Sequence, residues 1–547
     1  MACQLKNPPL CPEMCSSASP SSLVVPRQHE SVLIVPCADD LPDLIVANSQ
    51  RLSSADCAID GTSFQQLRDE AREAVIAEAV GYTSWLIEDD ITVDPQVPLV
   101  VTGHQPELFH VGVWAKNFAA AGLSRQTCGV ALNLIVDNDT LGSTRIRVPI
   151  SKSALPTLES IPFDATQLEQ PWEEAAIADQ ACFEAFGEQV RSSIQQNWNY
   201  EPLIATGWSA AVRQARTTSR LSDCLVAARV AVERAHGLQN LELPMSSLCS
   251  TRPFGVFAAS VLKHLPRFHA IYNEAVRDYR QLHRLRSTTH PVPELIADSG
   301  WLEAPFWVWR AGGKRRERPV ARQVGSEIHL RDSTGIFARL ALTGDSAADV
   351  ISQLGSQGIR FRTRALTTTM FARLFLADLF IHGIGGAKYD AMTDQICQRF
   401  FGIEAPPFAT VTATAFLPLG NEFPHAQYDL RGIQQRLRDT RYNPDRLLDA
   451  ADGSHVGSLI TDKNRILDQL KSRRPTKAEH RQLTDLNELI SAELTNVVTE
   501  LQSQRDQVYY QLKANSVLRD REFSWGLYPE ETLIGFLNRE FLPRPGL

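Results

Sequence analysis

The chain has 547 residues, 43% hydrophobic and 22% charged, with a formal net charge of −8. This is a globular composition spread over more length than one simple core uses, so two or three substructures are expected. The acidic balance gives the whole molecule no electrostatic pull towards nucleic acid or anionic membrane. No run of about 18 apolar residues signals a spanning helix. The expectation is a soluble, cytoplasmic protein with neither class of partner.

Residues 1–28 read as a disordered tail, because Met1 to Ser22 have no apolar signal core. The tail holds Cys3, Cys11 and Cys15; the ten cysteines include no CxxC pair and are expected to be reduced thiols. Residues 29–150 should form the first part of an α/β core. Ser31 to Pro36 predicts a short buried strand, and Ser63 to Glu88 has helical periodicity through Leu67, Ala71, Val75 and Ala79. Pro98 to Thr102 predicts a strand, Gly103 to His110 a polar loop, and a helix follows from about Gly112. Gly129 to Val136 predicts another buried strand, ending at Asp137-Asn138-Asp139. Strand, loop, helix and strand at this spacing make a βαβ unit, hence a parallel sheet.

Residues 151–300 read as a mostly helical connecting region, with helices continuing over Phe254 to His283. Residues 301–450 carry a strand hairpin and the second part of the core. Trp301 to Trp309 is strand-like and is expected to turn at Gly312 to Arg315 and pair with Pro319 to Val324. Lys314-Arg315-Arg316 then reads as an exposed tip. Met370 to Phe380 predicts a helix, Gly383 to Gly386 a loop, Ala387 to Phe401 a second helix, and Thr410 to Phe416 a strand. In residues 455–547, Leu483, Leu486, Ile490, Leu494, Val497, Leu501, Val508 and Leu512 form a helical stripe. The break at Arg473-Arg474-Pro475-Thr476 makes this an expected antiparallel helical hairpin, a coiled coil suited to homodimerisation.

Ligands of parallel sheets bind outside the carboxyl ends of the strands. Two polar clusters fall there. One comprises Thr102, Gly103, His104, Gln105, Glu107 and His110, with Gly112, Lys116 and Asn117 on the following helix; the other is Asp137, Asn138 and Asp139. A helix N-terminus at Gly112 suits phosphate. His104 and His110 can donate hydrogen bonds to phosphoryl oxygens, and Asp137 or Asp139 can hold a ribose hydroxyl or Mg²⁺. The glycines Gly383, Gly385 and Gly386, with Lys388, Tyr389 and Asp390, offer a second anion-binding wall. A tight turn would need the same glycines, and His382 reads as a core histidine. Arg360, Arg362 and Arg364 share a strand face that suits an anionic ligand or an ion-pair network equally.

Val101-Thr102-Gly103-His104-Gln105-Pro106-Glu107-Leu108-Phe109 resembles the Thr-Gly-Gln-Gln-Pro-Gly-Leu-Phe motif of the bacillithiol biosynthesis cysteine-adding enzymes. Leu134 to Asp139 is similar to the family's strand ending in an acidic cluster. Leu379 to Tyr389 resembles its Gly-Gly-Pro-Gly-Glu-x-x-Tyr loop, with Gly386 standing where the family has Glu. Other departures are Thr367 near an expected Arg and Phe371-Ala372 near an expected Gln-Asp. The resemblance implies a Rossmann-like core related to class I aminoacyl-tRNA synthetases, with connecting insertions and a coiled-coil dimerisation element. His110-Val111-Gly112 looks like the start of the synthetase His-x-Gly-His loop, with Val113 in the fourth place. The implied activity is that of a ligase joining an amino acid or thiol, cysteine in the family, to a glucosaminyl malate-type acceptor. The implied catalytic residues are His104, His110, Asp137 and Asp139. A nucleotide, with or without Mg²⁺, is the cofactor class for such a site. Two other readings compete: a non-catalytic scaffold that keeps the core and dimerises through the hairpin, and a metal-dependent hydrolase using the same two His and two Asp.

Overall fold

The computed structural model describes residues 23–152, 155–290, 292–344, 346–448 and 455–542. Of the tail expected over residues 1–28, residues 1–22 with the three cysteines lie outside them; in the remainder Leu23 is buried and the Pro26 carbonyl accepts from Thr414 Oγ1 at 2.7 Å. The chain divides into two compact units. The larger takes residues up to Val148, Ser160–Leu417 and Arg521–Leu547, and the smaller takes Pro149–Glu159 and Pro418–Asp520.

The larger unit is a mixed α/β structure around a six-stranded sheet. Its strands are β1 (Ser31–Val35), β2 (Leu99–His104), β3 (Val130–Ile135), β4 (Leu241–Pro244), β5 (Leu379–His382) and β6 (Ala409–Thr414). In space they run β1-β6-β5-β2-β3-β4. All neighbours are parallel except β1, which pairs antiparallel with β6 as a half-buried edge. From β2 the chain proceeds outward to β3 and β4, then returns to place β5 on the other side of β2. That reversal makes the β2–β5 crevice a topological switch point.

The sheet is covered on both faces. Leu99, Val101, Leu132, Leu134, Leu241 and Leu243 enter the main core with Phe64, Leu67 and Ala71 of helix α1 (Phe64–Ile87). Alternate residues point the other way, towards the side of helix α2 (Val111–Gln126), which packs on β2, β3 and β6. There Asn133 donates to Glu242 at 2.8 Å, and Arg229 joins Glu242 at 2.6 Å to Glu233 at 2.7 Å. Asn117, expected to bind ligand, instead donates to the Glu233 carboxylate at 2.8 Å, beside Trp114 at 2.6 Å.

Two expectations are extended and two are corrected. The connecting region opens with paired strands, Arg145–Lys152 and Leu155–Pro162, before its helices Gln180–Trp198, Leu203–Gln214 and Leu221–Ala235. Trp301–Glu303 pairs with Val320–Val324 inside a five-stranded sheet and Val308 bridges Glu317, which closes the expected hairpin, while Phe306–Arg310 also pairs with Ile359–Thr363. The apolar side of that strand has a better partner in the main core, where the Phe306 and Phe361 rings lie 4.8 Å apart. The helix expected to reach Phe380 ends as Ala365–Phe371 plus a wide turn at Ala372–Leu376, and Leu379–His382 is a strand. Periodicity cannot separate a short, fully apolar strand from buried helix. The glycine loop is the start of helix α3 (Ile384–Ile396), with Gly383 at its N-cap.

The smaller unit contributes helices Ala426–Tyr442, His455–Gln469, Lys477–Ala492 and Thr495–Leu518. The stripe expected to be continuous from His480 to Lys513 is interrupted at Glu493 and Leu494. Ala426, Leu430 and Val508 form part of its core.

At the foot of the sheet, Asp378 receives Arg68 at 2.8 Å and Arg72 at 2.9 Å from α1, with all three side chains under a tenth exposed. It also bonds to β2, where Leu99 N donates to the carboxylate and Asp378 N donates to the Leu99 carbonyl, each at 2.8 Å, and its own carbonyl accepts from Asn48 at 2.8 Å. Removing one member of a buried ion pair strands its partners without water or counter-charge. Asp378→Ala is therefore expected to lower the unfolding free energy by about 3–5 kcal/mol, read from urea denaturation. A change no larger than that of an exposed carboxylate such as Glu404 would contradict this role.

Candidate functional site

A cavity of about 720 Å³ opens at the carboxyl ends of the parallel strands, within the larger unit. This size suits a small-molecule ligand. Gly103, His104 and Gln105 line it from β2, Asn138 and Asp139 from the end of β3, His382 and Gly383 to Gly386 from β5 and α3, and Thr412 from β6. Two clusters that are far apart in sequence thus share one cleft with the glycine segment, because β2 lies between β3 and β5.

The N-terminus of α2 enters this cleft. His110 is its N-cap, and its Nδ1 accepts from Gly112 N at 3.0 Å. This satisfies one of the helix's orphan donors. Gly112 is required by close packing: a Cβ there would lie 2.6 Å from Thr412 Oγ1 and 2.8 Å from the Ala413 carbonyl. Lys116, one turn further along, is 4% exposed, and its Nζ donates to the Gly103 carbonyl at 2.6 Å. Burial lowers its pKa to about 8. Arg521 arrives from the returning C-terminal segment, donating to Thr412 Oγ1 and the Ala413 carbonyl at 3.2 Å each. Its Nε is buried with no hydrogen-bond partner. Neither cation is hydrogen-bonded to a carboxylate among the described residues.

His104 also reaches the cleft, packed edge-on against Phe109. Burial and then the Lys116 ammonium press its pKa down to about 3. It is a neutral imidazole at ordinary pH, so charge neutralisation at this end falls to Lys116 and Arg521.

The opposite end is built by Asn138, Asp139, Trp307, Arg316 and Arg364. Asp139 accepts from Gln105 at 2.7 Å and pairs with Arg316 at 2.9 Å. Arg316 is not an exposed tip: it donates to the Asn138 carbonyl at 2.7 Å and lies 4.6 Å from the Trp307 ring centroid. Arg364 stacks on the same indole at 5.1 Å and pairs with buried Glu303 at 2.6 Å. Arg360 and Arg362 are taken up by Glu173 and Glu174. Asn138 donates to the Thr363 carbonyl at 2.9 Å, while its Oδ1 is buried without a partner.

Several expected site residues do not line this cavity. Asp137 is 1% exposed and accepts from Ser246 N at 2.9 Å and Ser246 Oγ at 2.5 Å, with Arg220 at 3.4 Å. Burial, then the Glu173 carboxylate, raises its pKa. Thr102 is buried and donates to the Ile381 carbonyl at 3.0 Å. Glu107 is exposed outside the cleft wall, Lys388 lies on the outer part of α3, and Tyr389 Oη sits 3.3 Å from His290. Asp390 lies behind the wall, bonded to His382 and Arg373. Among the described residues, no group of three or more His, Cys, Asp and Glu is placed to hold a metal ion.

Arg316, Arg364, His382, Trp307 and Arg521 were missed as lining residues. The alternation of Arg360, Arg362 and Arg364 was a usable signal for one of them. Arg521 had none, since only the fold returns residue 521 to α2. No family model matches the chain, and no curated protein matches it.

Gly112→Ala is expected to cost about 1–3 kcal/mol through overpacking, seen as a lowered melting temperature. A wild-type melting curve for this variant would show that the close approach of α2 to β6 is not needed.

Proposed function

We propose that the cleft binds a phosphorylated, nucleotide-type ligand and that the protein is a small-molecule ligase of Rossmann-like fold. The observation that carries this reading is the pair Lys116 and Arg521. Both cations flank the N-terminus of α2, and their hydrogen-bond partners are carbonyl and hydroxyl oxygens only. Buried charge is costly unless paired, so an anion is the natural complement. The positive end of the α2 dipole favours that complement. The strand order, with its reversal between β2 and β5, supports a nucleotide at this position. Four cations against two carboxylates line the cleft of a net acidic chain.

In this reading Lys116 and Arg521 hold phosphate beside the N-terminus of α2, whose Gly112, Val113 and Trp114 amides are bonded to His110. Asn138 and Asp139 meet amino or hydroxyl groups, for which the unpartnered Asn138 Oδ1 is a waiting acceptor. His104 and His110 border the phosphate, His104 as a neutral imidazole. The reaction class is joining of an amino acid or thiol to a small acceptor, as in the bacillithiol family, with Mg²⁺ arriving on the nucleotide if it takes part. The smaller helical unit is proposed as the dimerisation element. Its exposed Tyr428, Leu489 and Tyr510 offer apolar surface, and sedimentation should then report a dimer that Leu489→Lys weakens.

Calorimetric titration with ADP tests the phosphate site. Micromolar or tighter binding is expected for the wild type, and at least about a tenfold loss for Lys116→Met. Lys116 is protonated in the folded protein below about pH 8. Affinity should therefore hold from pH 7 to 8 and fall by up to about tenfold per unit above that. Undiminished binding by Lys116→Met, or a flat profile to pH 10, would remove Lys116 from the site. A deletion strain that lacks a low-molecular-weight thiol would identify the product class.

A further inference from the structure

His382 ends β5, and by pattern alone it is a core histidine. Its surroundings are not those of a satisfied core side chain. The ring is 5% exposed, lines the cleft, and is flanked by Phe380 and Phe408 at 4.5 and 4.8 Å. Nε2 lies 2.8 Å from Asp390 Oδ2. That carboxylate is itself bonded by Arg373 at 2.5 Å, and Arg373 continues to Asp394 and the Pro406 carbonyl. Burial pushes the Asp390 carboxyl up, but the Arg373 guanidinium and His382 hold it well below the usual range. That carboxylate is placed to accept an Nε2–H, the arrangement in which Nδ1 carries the lone pair.

Nδ1 has no hydrogen-bond partner among the described residues, and it faces Gly386, part of the cleft wall. A Cβ at residue 386 would come within 2.6 Å of Nδ1, so glycine is what leaves this nitrogen uncovered. Phe380 is in register with Val101, which brings His382, two residues on, level with Gly103. The Gly103 carbonyl holds Lys116 Nζ. The imidazole and the phosphate anchor therefore stand at the same level of the switch point, on adjacent strands.

We propose that His382 is the proton acceptor of the cleft, with Asp390 and Arg373 as positioning residues behind it. This rests on the phosphorylated-ligand reading and deepens it. The substrates are an amine nucleophile and an acyl group carried on phosphate. Nδ1 takes a proton from the amine as its nitrogen bonds to the acyl carbon. The carbon–oxygen bond to phosphate breaks, and its electron pair leaves on the phosphate oxygen, facing Lys116 and Arg521. The proton on His382 then passes to solvent. Atoms and charge balance with no further reactant.

Diethyl pyrocarbonate acylates neutral, uncovered imidazole nitrogens, and peptide mass spectrometry locates them. Full-length protein is treated with and without saturating ADP, whose binding is read separately by calorimetry. His382 should be acylated in the free protein, and ADP should slow this by about fivefold or more while exposed His425 reacts unchanged. Asp390→Asn should slow His382 acylation by about threefold or more, and Asp390→Glu should restore most of it. Circular dichroism checks that both variants are folded; acylation of the wild type is informative without them. The proposal is overturned if His382 stays unmodified while His425 reacts, if ADP binds without protecting it, or if a folded Asp390→Asn reacts at the wild-type rate. Calorimetry showing no ADP binding would instead overturn the phosphate-site reading, and the inference would fall with it.

Discussion

The Asp378 carboxylate joins α1 to the two central strands at the foot of the sheet. Two arginines of α1 and the Leu99 amide all end on this one group. A one-residue slip in a strand turns every side chain to the other face. By anchoring the start of β2 beside the start of β5, Asp378 helps determine what stands opposite at the other end. There Gly103 and His382 come level, Lys116 reaches the Gly103 carbonyl, and the cleft opens between them. Stability and site geometry thus share one buried ion cluster, although it lies at the opposite end of the strands from the ligand.

The chemistry of the cleft follows from which charges are already used. Arg360, Arg362 and Arg373 are paired with nearby carboxylates, as is Arg229 with its two glutamates beside α2. Lys116 and Arg521 differ in hydrogen-bonding only to carbonyl and hydroxyl oxygens, with Glu522 near Arg521, and both lie at the first turns of α2. His104 cannot take over their task, because burial and Lys116 itself keep its ring neutral. Cation identity, rather than the number of histidines, is what suits this end to an anion.

Some of this was legible in the sequence, and the reasons are local. Pro98 to Thr102 and Gly129 to Val136 are short apolar runs ended by polar loops, with a helix-length segment between them. That pattern admits little besides adjacent parallel strands, and β2 and β3 are adjacent and parallel. The polar groups at their ends could therefore be assigned to the ligand edge, and His104, Gln105, His110, Gly112, Lys116, Asn138 and Asp139 do line one cavity. Asp137 was indistinguishable from Asp139 by composition. Only the placement of Ser246 and Arg220 gives Asp137 a structural partner set and leaves Asp139 facing the cleft.

By itself the sequence determined the α/β class, the first βαβ unit and the position of α2, because each depends on periodicity and turn chemistry within some forty residues. Tertiary structure alone decided the strand order, the second pairing of Phe306–Arg310 with Ile359–Thr363, and the return of Arg521 to the N-terminus of α2. It also decided that His382 is backed by Asp390 and open on its other nitrogen. Those outcomes depend on which distant apolar face or charge is the better partner, a competition settled by packing across hundreds of residues and invisible in any local window.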